Sequence, residues 1–172
     1  MKTTLWFVAV LFACVWHGGN SSRPSFSQLR SNYPRYQSID WDGLVDQEGL
    51  DSWLKGVADK NTCAMRVSRA LTHAGEEIVP GSCDWSGVRD RSNRPYIIRV
   101  TTMRCYLENE YGQADVTGST ESNFWGHQGI IVFQDCGFAT ATGHVDLWDG
   151  SRCVGICPYF GACSNIRLFE FN

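Results

Sequence analysis

Cysteines recur along the whole of this chain, at positions 14, 63, 83, 105, 136, 153, 157 and 163, eight in 172 residues. Their number matters only once the compartment is known. The opening "MKTTLWFVAVLFACVWHGGNSS" carries one lysine, then an apolar run from Leu5 to Trp16, then small and polar residues. That is the pattern of an export leader, and the run is too short for a membrane-spanning helix. We therefore expect residues 1–19 to be a signal peptide and 20–172 a single secreted domain, extracellular and free of the membrane after cleavage. Cys14 leaves with the leader, so an odd number of cysteines enters an oxidising compartment. Six can pair, and the remaining thiol needs its own explanation.

The rest of the composition narrows the classes. A net charge of -3 supplies no basic field for a phosphate backbone, so nucleic acid is not an expected partner. The basic stretch "RDRSNR" reads as a solvated loop. No C-x-x-C is matched by a second ligand pair, and "CVGIC" has the wrong internal spacing for a zinc knuckle. Neither a metal nor a cofactor is expected. The sequon at Asn20 adjoins the cleavage point, which makes it a poor glycosylation site.

Periodicity organises the mature part. Residues 20–38 show little of it and read as an irregular lead-in. "WDGLVDQEGLDSWLKGV" suggests one or two short helices around a turn. In "NTCAMRVSRAL", Asn61 or Thr62 can cap a helix, Ala64, Val67, Ala70 and Leu71 make one apolar face, and Gly75 is a natural stop. "YIIRV", 96–100, reads as a strand, and 101–111 as a helix capped by Thr101 or Thr102. "GIIVFQD" from Gly129, "GHVDLW" from Gly143 and "RLFEF" from Arg167 read as strands. Helices followed by consecutive strands indicate an α+β domain.

Cys63 stands at the start of the best helix, where unpaired N–H groups and the helix dipole favour a thiolate. A buried or disulfide-bonded cysteine is the plain alternative. A nucleophilic thiol needs an imidazole. His17 leaves with the leader, and His73 is on the same helix, removed by a rise of about 15 Å. His127 reads as a surface residue in a turn. His144 lies in a strand whose alternation puts His144, Asp146 and Trp148 on one face and Val145 and Leu147 on the other. The alternative is a solvent-facing edge strand with scattered polar residues. A cysteine at a helix start with a histidine far downstream on a strand is the papain-like arrangement.

The resemblance extends further. "RPSF" at Arg23, "NTCAMRVSRAL" at Asn61, "YIIRVTTM" at Tyr96, "FWGHQGIIVF" at Phe124 and "GHVDLWDGSRCVGIC" at Gly143 resemble, in the same order, the fourth family of type VI secretion amidase effectors. These are papain-like bacterial toxins related to the NlpC-type cell-wall peptidases. The resemblance implies a papain-like cysteine peptidase core with the nucleophile at the N-terminus of a helix packed on an antiparallel sheet. It implies Cys63 as nucleophile, His144 as general base and a disulfide between Cys153 and Cys157. The family pattern can place an aspartate midway between those cysteines, where this chain has Gly155. Asp146 is the first substitute as third catalytic residue and Asp149 the second.

The implied reaction is hydrolysis of the γ-D-glutamyl–meso-diaminopimelate bond of peptidoglycan stem peptides through a cysteine thioester, without cofactor, by a monomer. The expected partners are the stem peptide and a bacterial immunity protein. The leader departs from effectors that are injected by a secretion machine. It reads as a toxin gene adopted by another organism, an animal, and exported against bacteria. A secreted peptidoglycan-binding protein that kept the fold and lost catalysis is the rival, and the missing aspartate and seven tryptophans able to stack on sugars are its grounds. The pairing of Cys83, Cys105, Cys136 and Cys163 is open.

Overall fold

The computed structural model describes residues 23–57, 60–139, 141–157 and 159–172. The leader, Cys14 and the Asn20 sequon lie outside these. Four helices precede a four-stranded sheet: α1 (Phe26–Asn32), α2 (Trp41–Glu48), α3 (Cys63–His73) and α4 (Val100–Tyr111), then β1 (Val116–Gly118), β2 (Gly129–Cys136), β3 (Gly143–Trp148) and β4 (Cys163–Glu170). Short 3-10 turns occupy Ser52–Gly56 and Glu121–Phe124. The sheet is antiparallel with order β1-β4-β2-β3, which puts β3 at an edge.

α3 is the central helix. Its apolar face packs with α1 and β3, and Cys63, Ala64, Val67, Ala70 and Leu71 join Val145, Leu147 and Phe169 in one core cluster. Met65 faces a second cluster with Trp41, Leu44 and Leu54 from α2 and the turn after it. A helix buried on two sides is held on both, and that rigidity passes to its first residue. The opposite face of the sheet, with Ile131, Phe133, Trp148 and Ile166, is covered by Phe124 and Phe160.

Two expectations fail for physical reasons. The lead-in contains α1, started by a capping box in which Ser25 accepts from the Gln28 N–H and the Gln28 side chain accepts from the Ser25 N–H. Arg23 anchors the segment by donating to Tyr111 O at 2.9 Å and Glu170 O at 2.6 Å. The stretch 96–99 joins no strand, and Val100 already opens α4. Tyr96 N donates to Val88 O at 2.9 Å and Ile97 N to Ser68 Oγ at 2.8 Å, so loop and helix, not the sheet, take its hydrogen bonds. The buried apolar residues Tyr96, Ile97 and Val100 gave 96–100 a strand's appearance.

Smaller differences follow the same logic. α4 begins at Val100 with no side-chain cap, and Thr102 donates instead to Asp84 O at 2.5 Å. β4 begins at Cys163 and not Arg167, and β1 has no counterpart among the expected strands. The "RDRSNR" loop is tied down: buried Asp90 accepts from the N–H groups of Ser92 and Arg94.

Disulfides join Cys83 to Cys105, Cys136 to Cys163 and Cys153 to Cys157. The first staples the loop after α3 to α4, and the second joins β2 to β4. Cys83–Cys105 spans a separation of 22 residues. Replacing both by serine is expected to cost about 3 kcal/mol, the loop-closure entropy returned to the unfolded chain, measured by denaturant unfolding.

Candidate active site

Among the described residues Cys63 is the one free cysteine. It is the first residue of α3 and 1% exposed. The preceding residue Thr62 is the N-cap but makes no side-chain cap bond. Its hydroxyl accepts instead from Arg66 Nε at 2.8 Å. Asn61 Oδ1 accepts from the Cys63 N–H at 3.3 Å, a long bond that leaves this N–H available to a stronger acceptor.

His144 is the second residue of β3. Gly143 before it, at φ +154, approaches the Phe133 carbonyl so closely that any Cβ would collide. The imidazole lies beside the Tyr159 ring, centroids 4.8 Å apart, and is 6% exposed. Asp146 follows two residues on, on the same face as the alternation requires. Its Oδ2 is 3.6 Å from His144 Nε2, a nitrogen that is buried without a formed hydrogen bond. Burial pushes the His144 pKa down, while the Asp146 carboxylate and the Cys63 sulfur pull it up. The pull prevails, and the pKa is raised from 6.5 to about 9. The structure thus brings Cys63, His144 and Asp146 together. All six residues of β3 are buried, so the solvent-facing alternative for this strand fails.

Asp146 is held by the backbone. Oδ1 accepts from Leu147 N at 2.7 Å and Gly155 N at 3.1 Å, and Oδ2 from Ile156 N at 2.8 Å. Three N–H donors offset the desolvation of a carboxylate with no solvent exposure. Two of them come from the loop closed by Cys153–Cys157. A Cβ on Gly155 would stand 2.5 Å from Asp146 Oδ2, 2.8 Å from Tyr36 Cε2 and 2.9 Å from the Tyr33 hydroxyl. The strand carboxylate therefore occupies the space that a side chain at position 155 would need.

Asp149, the second substitute, turns elsewhere. It accepts from the N–H groups of Ser151 and Arg152 at 3.1 and 3.0 Å and closes the turn after β3. His73 pairs with Glu48 at 2.8 Å and His127 with Glu170 at 2.5 Å, so neither joins the site.

Sequence reasoning missed the wall around these residues. Tyr33 and Tyr36 pack against the site, and the pKa of each is raised, first by burial and then by the charges of Asp146 and Cys63. Arg66, 1% exposed, donates to Pro34 O at 2.7 Å and Ile39 O at 2.6 Å and stacks on the Tyr36 ring at 4.0 Å. An arginine three residues after the cysteine, on the same helical side, was the available signal. A cavity of about 570 Å³ opens onto His144, walled by Tyr36, Asn61, Phe138, Ile156 and Tyr159.

Residues 60–169 match the profile of the type VI secretion system (T6SS) amidase effector protein 4 family, Tae4. The chain belongs to the Tae4 family. Solved structures agree. The effector Tae4 from Salmonella typhimurium, in complex with the immunity protein Tai4 from Enterobacter cloacae, is 28% identical with a TM-score of 0.75, over 87% of this chain and 100% of that one. Tae4 from Enterobacter cloacae is 28% identical with a TM-score of 0.72, over 87% and 98% of the two chains. A search of curated proteins found no match. The helix-plus-antiparallel-sheet architecture is the papain-like α+β fold of these Tae4 structures.

The exclusion between positions 146 and 155 can be measured. Gly155→Asp is expected to cost about 3 kcal/mol by setting a second carboxylate against buried Asp146. In the Gly155→Asp, Asp146→Ala pair, part of that loss returns, as a coupling of about 1–3 kcal/mol in a double-mutant cycle. Additive losses would show that the two positions do not compete for one space.

Proposed function

We propose that this protein is an exported antibacterial amidase that hydrolyses the γ-D-glutamyl–meso-diaminopimelate bond of peptidoglycan stem peptides. The observation that carries the reading is the juxtaposition of Cys63, His144 and Asp146 at the cleft of a Tae4-family chain. Cys63 is the nucleophile, His144 the general base and Asp146 the residue that orients the imidazole. With Nε2 toward Asp146, Nδ1 is the nitrogen left for the thiol.

The Cys63 sulfur attacks the γ-carbonyl carbon of D-glutamate, its proton having passed to His144. The carbonyl oxygen, now negative, replaces Asn61 Oδ1 as acceptor of the Cys63 N–H. The imidazolium returns the proton to the departing amine of diaminopimelate, the C–N bond breaks and a thioester remains. Water, deprotonated by His144, then releases the glutamate carboxylate and the free thiol. No step calls on a cofactor.

Residues 1–19 serve as the export leader, residues 20–172 form one domain, and the mature enzyme acts extracellularly as a monomer. Three disulfides fit an oxidising compartment. A family of effectors together with an export leader supports a toxin gene acquired by an animal and used in innate immunity. The Tai4 complexes of the relatives support an immunity protein as a partner. The rival, an inactive peptidoglycan binder, rests on Gly155, and Asp146 in the space beside Gly155 favours activity.

Purified protein and Cys63→Ala are compared on diaminopimelate-type peptidoglycan, with products read by mass spectrometry. The parent protein is expected to yield fragments with a free diaminopimelate amine and the variant none; a parent digest without such fragments overturns the proposal. Asp146→Asn is expected to lower kcat on the order of 10³–10⁴-fold.

The pH dependence follows from His144. A pKa raised to about 9 keeps His144 as the imidazolium below that pH, and the charge is lost above it. The profile of kcat/KM against pH should therefore bend down near pH 9, and Asp146→Asn should move that bend toward the ordinary histidine value of 6.5.

A further inference from the structure

Two hollows adjoin at the site, and Cys63 lines one of them. Beside the cavity that opens onto His144, a second cavity of about 370 Å³ is lined by Cys63 itself with Trp41, Trp53, Ser86, Arg99 and Thr142. Asn61 and Ala141 line both, so the two are halves of one cleft. The proposed chemistry gives the cleft a direction. His144 hands its proton to the departing amine, so the amine half of the substrate lies on the His144 side. The acyl half must then run over Cys63 into the second cavity.

Three features of that cavity are left unexplained by packing. Trp53 is 54% exposed, while its neighbour Trp41 is buried and fixed by its Nε1 donating to Leu54 O at 2.9 Å. Ser86 Oγ is buried with no hydrogen-bond partner, a costly state for a hydroxyl unless a ligand meets it. Arg99 pairs with Asp84 at 2.8 Å, but both side chains are exposed, at 55% and 87%. Such a surface pair is worth little and exchanges readily for another carboxylate. An open indole, an unmet hydroxyl and an exchangeable guanidinium are the groups that a sugar and a carboxylate require.

We propose that this cavity is the acyl-side subsite of the cleft, where Trp53 stacks on the N-acetylmuramyl sugar carrying the stem peptide and Arg99 pairs with the free α-carboxylate of the γ-linked D-glutamate. The assignment rests on the γ-D-glutamyl specificity proposed above, because only a γ-linkage leaves that α-carboxylate free. Two amino acids separate the scissile carbonyl from the sugar, a reach of about 10 Å along an extended chain. Ser86 lines the same cavity with its hydroxyl unpaired, a further polar group for this half of the substrate. The subsite makes the enzyme a reader of stem peptides still attached to glycan.

The test measures kcat/KM on matched substrates with single preparations. One pair is the disaccharide tetrapeptide and the same tetrapeptide without sugar; the other carries D-glutamate or its α-amide. The parent protein is expected to favour the sugar-bearing and the carboxylate-bearing member by about tenfold each, equivalent to about 1.4 kcal/mol. Trp53→Ala should bring the first ratio close to one while Trp53→Phe keeps it, and Arg99→Gln should bring the second close to one. Because each ratio is taken on one preparation, incomplete folding of a variant cancels. Ratios near one for the parent, or parent-like ratios in Trp53→Ala and Arg99→Gln, overturn the subsite while leaving the amidase reading intact. Cleavage of no member of either pair by the parent overturns both.

Discussion

The buried carboxylate of Asp146 ties the site to the fold. Its strand neighbour Leu147 supplies one N–H, and the loop between Cys153 and Cys157 supplies two more. A carboxylate without solvent is tolerable only when such donors surround it, so strand and loop must come together for either to be stable there. The loop in turn requires a residue without a side chain at 155, since the carboxylate fills the space a Cβ would take. One interaction thus sets the position of β3, the loop conformation and the charge facing His144.

The opposite wall depends on a buried cation. Arg66 rises from α3 one turn beyond Cys63, takes the carbonyls of Pro34 and Ile39, and lies against the Tyr36 ring. Its guanidinium converts an otherwise irregular segment into a fixed face of the cleft, with all three contacts made by a planar group of defined geometry. α3 therefore carries Cys63 at its start and the support of the facing wall one turn later. The helix, clamped between two apolar clusters, gives both the same rigid frame.

Local patterns were legible where a single element sufficed to produce them. The apolar face of 63–73 and the alternation of 143–148 follow from the helical and strand periods, and both elements formed there. The stretch 96–100 misled because buried apolar residues look alike in a strand and in a segment bound by a helix side chain. The lead-in misled for the opposite reason: seven residues give α1 too short a period to notice, although Ser25 and Gln28 held its capping signature. The disulfide partners of Cys83 and Cys136 could not be read at all, because pairing is a statement about distance in space.

A strand face carrying His144 and Asp146 and a helix beginning at Cys63 were determined by the sequence alone, since each depends on order or period along the chain. Which aspartate faces the imidazole was decided only in three dimensions. Asp146 and Asp149 are nearly equivalent on paper, yet one points into a ring of N–H donors beside His144 and the other closes a turn. The same holds for Trp53, Ser86 and Arg99, which are far apart in sequence and line one cavity with Cys63. Side chains from separate elements meet through packing and hydrogen bonding across the fold, and no local period encodes that meeting.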